Sequence, residues 1–152
     1  MSLKEKLQND LTDAMRARDE ICSSTIRMIL TSIKNEEVAG KEARELNDAE
    51  IITVLSREAK KRREAAEAFD QAGAKDRADQ ERAEGVVISE YLPKQLTEDE
   101  IKSLIKAAVA ETGASTPAQM GLVMKSLQPK IAGKADGGLV SSLVKAALAG
   151  GN

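Results

Sequence analysis

The chain has no histidine and no tryptophan, one cysteine, and one tyrosine and one phenylalanine among 152 residues. Each shortage removes a class of function. A zinc centre, or a thiol nucleophile with its base, needs clustered Cys and His side chains, so both are excluded. Cys22 stands alone and cannot close an intrachain disulfide, which points to a reducing compartment and leaves packing as its role. Phe69 and Tyr91 are too few to build the ring platform on which single-stranded nucleic acid stacks. No apolar run approaches the ~20 residues that span a bilayer, and Met1-Ser2-Leu3-Lys4-Glu5-Lys6 lacks the apolar core of a signal peptide. The expected location is therefore the cytoplasm, without membrane contact. No Gly-x-x-x-x-Gly-Lys-Ser/Thr loop is present for nucleotide phosphates, and no cofactor is expected.

What the chain does have is charge and helical periodicity. Hydrophobic residues make up 41% of it, enough for a packed core without disulfide or metal support. The net charge of -2 is unevenly spread: residues 1 to 93 carry 16 basic and 20 acidic side chains, residues 94 to 152 carry 7 and 5. From Ala114 onward four lysines face only Asp136, so the end of the chain is its basic pole.

Ser2 with Glu5 forms a capping-box pattern, and Leu3, Leu7, Leu11, Ala14 and Arg18 recur at helical spacing, which predicts a first helix over roughly 3–17. A break at Arg18-Asp19 precedes a second, lined by Cys22, Ile26, Ile29 and Ile33, broadened by Met28 and Leu30, and stopped near Gly40. Asn47 with Glu50 opens a long third helix carrying Ile51, Leu55, Ala59, Arg62, Ala66 and Phe69, and Gly73 ends it. Asp76 is the expected cap of a fourth, which runs toward Tyr91 with Ala83, Val87 and Tyr91 on one side and Ile88 and Leu92 beside them. Gly85 inside it either costs about 1 kcal/mol against alanine or marks close packing.

Pro93 stops that helix and disfavours helical geometry at Leu92, so Tyr91-Leu92-Pro93-Lys94-Gln95-Leu96 reads as a domain boundary. Beyond it, Thr97 with Glu100 caps a helix carrying Ile101, Leu104, Ile105, Ala108 and Val109 and closed by Gly113. Thr116, Pro117 and Gln119 open the next, with Met120, Val123, Met124 and Leu127, which must end before Pro129 or kink there. Gly133 to Gly138 reads as a loop before a last helix with Leu139, Val140, Leu143, Val144, Ala147 and Leu148. The expectation is an all-α protein: an N-terminal helical hairpin module of about four helices over 1–93, then a small three-helix bundle over 94–152.

Acidic residues fall among basic ones on polar faces, which reads as a solvated surface rather than a general acid-base pair. Ser141, Ser142 and Lys145 share a segment, but spacing alone does not make a Ser-Lys nucleophile, and no catalytic residue is assigned. Lys60-Lys61-Arg62-Arg63 is the densest basic run and reads either as a phosphate contact or as a solvated face; Glu58 four residues before Arg62, and Lys60 four before Glu64, favour local pairing for much of it. Gly133-Lys134-Ala135-Asp136-Gly137-Gly138 runs straight into the last helix, whose first N–H groups attract anions. Two readings stand side by side there. In one, Lys125, Lys130, Lys134 and Lys145 with Gly133, Gly137 and Gly138 contact a phosphate backbone. In the other, the glycines only shape a turn and Asp136 only caps the helix.

The sequence resembles the YqeY family over nearly its whole length. In the first module the resemblance rests on Asp10, Met15, Arg18 and Asp19, on Ile26-Arg27-Met28-Ile29-Leu30, and on Ala72-Gly73 followed by Glu81 and Glu84. More specific are Tyr91-Leu92-Pro93-Lys94-Gln95-Leu96, Met120-Gly121-Leu122-Val123-Met124 and Gly133-Lys134-Ala135-Asp136-Gly137, in the family's order. A departure lies at Ala74-Lys75-Asp76-Arg77-Ala78, where the family pattern has arginine after the Ala-Gly pair and leucine after the aspartate. The second half of that family is similar to the tail domain of the B subunit of glutamyl/aspartyl-tRNA amidotransferase. The resemblance implies a module that holds tRNA by its backbone and shape. It does not imply amidation, because the parts that carry that chemistry have no counterpart here. A non-catalytic tRNA-binding accessory is one expectation, and a module docking on a protein partner such as an amidotransferase or synthetase is the other.

Overall fold

The computed structural model describes residues 1–150 and contains seven α-helices and no strand among them. The protein is all-α. The helices fall into two compact units, Met1–Leu92 and Pro93–Asn152, each with its own core.

Unit 1 is built from α1 (Leu3–Arg16), α2 (Glu20–Glu37), α3 (Asp48–Gln71) and α4 (Lys75–Ser89), paired as the hairpins α1–α2 and α3–α4. The Ser2 hydroxyl takes the Glu5 N–H at 3.1 Å while the Glu5 carboxylate takes that of Ser2, so α1 starts on a closed capping box. Arg18, at φ 57°, turns the chain through the left-handed region, and Asp19 then caps α2 through the Cys22 N–H. Asn47 and Glu50 repeat the reciprocal cap at α3. Leu7, Ile26, Ile29, Ile33, Ile51, Val54, Leu55 and Ile88 are the buried heart of this unit.

Several local expectations need correction. Helix α2 ends at Glu37, short of Gly40, because the Glu37 backbone carbonyl takes the Arg44 N–H and its carboxylate takes that of Leu46, folding the chain back on itself. Met28 is 48% exposed rather than part of the stripe; its sulfur instead lies 3.7 Å from the Arg62 guanidinium. Asp76 is not the cap of α4. Ala74 holds that position without a side-chain bond, and Asp76 sits in the first turn, where its charge still suits the helix dipole.

Unit 2 comprises α5 (Glu98–Thr112), a 3-10 turn (Pro117–Gln119), α6 (Met120–Ile131) and α7 (Gly137–Leu148). Its core is wholly aliphatic, from Ile101, Ile105 and Ala108 on α5, Val123, Leu127 and Ile131 on α6, and Val140, Val144 and Leu148 on α7. The Thr97 hydroxyl accepts the Glu100 N–H and donates to the Glu100 carboxylate, both at 3.2 Å. Helix α6 runs through Pro129 instead of ending before it. Proline so near the end removes only the bond to the Lys125 carbonyl, and the buried Leu127 and Ile131 hold the last turn. Gly137 and Gly138 belong to α7 rather than to the loop, since Asp136 caps the helix.

Gly85 lies within α4, and a β-carbon there would meet nothing within 4 Å, so close packing does not explain it. Gly85→Ala is expected to stabilise unit 1 by about 1 kcal/mol through helix propensity alone. A urea midpoint that rises checks this, and one that falls would reveal a contact that alanine disturbs.

Candidate nucleic-acid interface

The turn between α6 and α7 is the best-defined surface feature of unit 2. Gly133 adopts φ +72°, a left-handed conformation that glycine enters without steric cost, and the N–H of Lys134 returns to the Ile131 carbonyl at 2.8 Å. The connector ahead of α5 then locks the turn from outside. The Leu96 N–H donates to the Lys134 carbonyl at 2.8 Å, and the Gln95 side-chain amide donates to the Gly133 carbonyl at 2.9 Å and to the Pro93 carbonyl at 2.8 Å. Two of the sequence signatures, 38 residues apart, are thus one clasp.

This arrangement sorts the seven candidate residues. Lys130 and Lys134 flank the turn and are exposed, with Gly133 between them and Gly137 and Gly138 exposed in the first turn of α7. Lys125 is exposed on α6, six residues before its end, and so lies about 9 Å along the axis from the turn. Lys145 is exposed in the last turn of α7, eight residues or about 12 Å from Gly137. The structure therefore gathers five candidates at the turn and leaves Lys125 and Lys145 on the helix shafts. The Asp136 carboxylate accepts the Gly138 N–H at 3.3 Å and occupies part of the helix start. An anion here would be met chiefly by lysine side chains, with the remaining backbone N–H groups secondary.

The serine-lysine pairing is not formed: Ser142 donates to the Gly138 carbonyl of its own helix at 3.1 Å. In unit 1 a recess of about 770 Å³ between α2 and α4 carries Glu20, Asp79 and Glu84 against Arg27. Its serines, Ser23 and Ser24, also donate to carbonyls of their own helix, so neither is set up as a nucleophile. Among the described residues no group of three or more His, Cys, Asp and Glu could hold a metal ion.

Three acids that sequence reasoning put on solvated faces are in fact buried: Glu37, Glu58 and Glu84. Arg62, 5% exposed, lies between two of them. Its Nη1 donates to the Glu58 carboxylate at 2.8 Å, and its Nε lies 3.3 Å from Glu84, close enough for an ion pair but not aligned for a hydrogen bond. The Glu58–Arg62 spacing foretold the first contact, and Arg62 on an apolar stripe was the available signal of burial; no local pattern marked Glu37. Burial pushes the Glu58 carboxyl up, but bonds from Arg62 and Lys61 outweigh it and hold it below its ordinary value. Glu37 is held low by Lys4, at 2.9 Å, and then by the Leu46 N–H. Asp10 is held low by Lys6 and by the Tyr91 hydroxyl, which donates to it at 2.6 Å. These are ionised, partnered carboxylates that join α1, α2, α3 and α4, not an acid and base with separated pKa values.

Residues 4–148 match the family model described as Yqey-like protein, and the chain belongs to the YqeY family. It is similar to the Altered inheritance of mitochondria protein 41, mitochondrial, of Clavispora lusitaniae, at 30% identity over 134 residues, 86% of this chain and 77% of that protein. The protein of the same name from Lachancea thermotolerans is 28% identical over 147 residues, 93% of this chain and 76% of its own length. An uncharacterized protein of Schizosaccharomyces pombe is 29% identical over 94 residues, 61% of this chain and 74% of that one.

Removing Arg62 leaves two buried carboxylates without their shared cation, so Arg62→Ala is expected to cost unit 1 about 3–5 kcal/mol in urea unfolding. Lys61→Ala, at an exposed partner, should cost far less. For pH, the lowered carboxyls bind fewer protons folded than unfolded, so stability rises with pH across the gap between the two states. Their contribution is complete above about pH 5 and is lost as pH falls through the lowered folded values. Urea midpoints followed by circular dichroism should be level from about pH 7 to 5 and decline below about 4.

Proposed function

We propose that the protein is a non-catalytic accessory that holds tRNA on unit 2 through lysine contacts to the phosphate backbone. The observation that carries this reading is the pair of exposed lysines, Lys130 and Lys134, on either side of a turn locked by Gln95 and Leu96. A locked turn holds the backbone positions of both lysines, so that less order is lost when their flexible side chains reach a polyanion. The scarcity of aromatic side chains and the likeness to the amidotransferase tail point the same way, toward reading backbone and shape instead of unstacked bases. Nothing in this reading requires the chain to perform amide transfer.

Phosphate contacts of this kind release counterions, so affinity falls steeply with salt. Binding of total tRNA to the full chain, measured between about 50 and 200 mM salt, should weaken in a log–log line whose slope becomes shallower in Lys130→Glu/Lys134→Glu. Lys125→Glu and Lys145→Glu, on the helix shafts, should have smaller effects. Absence of binding at micromolar protein, or a double variant that binds like the parent, rejects the proposal.

The second reading, a module docking on a translation-related enzyme such as an amidotransferase or synthetase, is favoured by an apolar groove on the same unit, between α5 and α7.

A further inference from the structure

Three packed helices leave a cleft where a fourth would complete a bundle, and in unit 2 that cleft is a groove of about 720 Å³ between α5 and α7. Helix α5 contributes Lys102, Ile105, Lys106 and Val109 to it, a spacing of three, four and seven residues that puts all four on one face. Helix α7 contributes Leu143, Ala146 and Ala147, again on one face. Ile105 is 2% exposed and half-buried Val109 and Leu143 join it, while Ala146 and Ala147 are exposed and small enough for another backbone to come close.

The α5 rim is positive. Lys102 and Lys106 stand one turn apart, and both are exposed. Lys102 meets Glu98 at 3.3 Å in a solvent-exposed pair, which is weak. Lys106 has no ion-pair partner among the described residues, and the positions one turn away from it, Lys102, Ser103, Val109 and Ala110, carry no acid. The acids of α5 lie at its ends, in Glu98, Asp99, Glu100 and Glu111.

We propose that the α5–α7 groove docks an amphipathic helix of a protein partner, its aliphatic stripe on Ile105, Val109 and Leu143 and its acidic flank against Lys102 and Lys106. The inference makes the second reading specific and rests on it, and it uses none of the residues on which tRNA binding depends. The rim lysines alone would suit phosphate as well, but the apolar floor gives it nothing, whereas a helix laid between two helices satisfies its own backbone and buries its stripe there. Lysines on one rim fix the direction and register in which a charged helix lies. A second copy of this chain is a poorer fit, because its large exposed apolar side chains are scattered, with no more than two on any one helix.

The test is a displayed library of stapled helical peptides of about four turns, with randomised apolar and charged positions, selected against the full chain. Enriched sequences should share an aliphatic stripe and an acidic flank, and a synthetic peptide of that sequence should shift the amide resonances of Ile105, Val109, Leu143 and Ala147. Its affinity should fall roughly tenfold with Lys106→Glu and be lost with Ala147→Arg, which fills the groove. Both positions are exposed, so an unchanged circular dichroism spectrum confirms that the variants fold. Failure to enrich any helix, enrichment of basic flanks, or binding indifferent to both variants overturns the proposal. So does a concentration-dependent dimer in sedimentation that Ala147→Arg abolishes, which would give the groove to a second copy. Binding of tRNA by the Ala147→Arg protein should be no weaker than that of the parent, since the variant adds a cation to unit 2, so that the two readings fail separately.

Discussion

The clasp between the connector and the α6–α7 turn holds the basic end of unit 2 in shape. Backbone donors and acceptors in a turn must be satisfied by something, and here the Gly133 and Lys134 carbonyls are taken by Gln95 and Leu96. The start of the unit is therefore fastened to its last interhelical turn, closing the chain around an aliphatic core. The same bonds leave the Lys134 side chain outward while its backbone is fully engaged. A small bundle with a modest core gains rigidity at the place where it presents charge.

The two units treat charge in opposite ways. Every buried polar or charged side chain among the described residues lies in unit 1, where Lys4 on α1 holds Glu37 on α2, Arg62 on α3 reaches Glu84 on α4, and Lys61 and Arg62 hold Glu58 within α3. Such pairs do not stabilise more than a well-packed apolar contact would, but they penalise any register in which a partner is missing. Unit 2 buries no ions. Its lysines remain at the surface, which is what a module that meets a polyanion or an acidic helix requires.

Helix number, most caps and the core stripes were legible because each is written locally, in a capping residue or an apolar residue every third or fourth position, whereas Asp76 as a cap and Gly40 as a stop were not. Leu7, Ile26, Ile29, Ile33, Ile51 and Leu55 went inside as their spacing dictates. The errors arose where tertiary contacts overrode local rules. The chain leaves α2 before Gly40 because the Glu37 carboxylate binds Lys4 and the Leu46 N–H, and α6 continues past Pro129 because Leu127 and Ile131 are buried. For the candidate interface, sequence named the turn and its lysines but not the clasp, since nothing local shows that Gln95 reaches Gly133. Lys125 and Lys145 are close to the turn in sequence, but helix length sets them along the shafts of α6 and α7.

The rings are as unevenly placed as the buried ions. Phe69 and Tyr91 both belong to unit 1, and no aromatic side chain lies among residues 93–152. The protein therefore has one near-ultraviolet chromophore of consequence, a phenol hydrogen-bonded to the Asp10 carboxylate, and that contact tends to quench its emission. Tyrosine fluorescence reports when α1 parts from the end of α4, while unit 2, which has no aromatic ring of its own, is followed by far-ultraviolet dichroism or amide resonances.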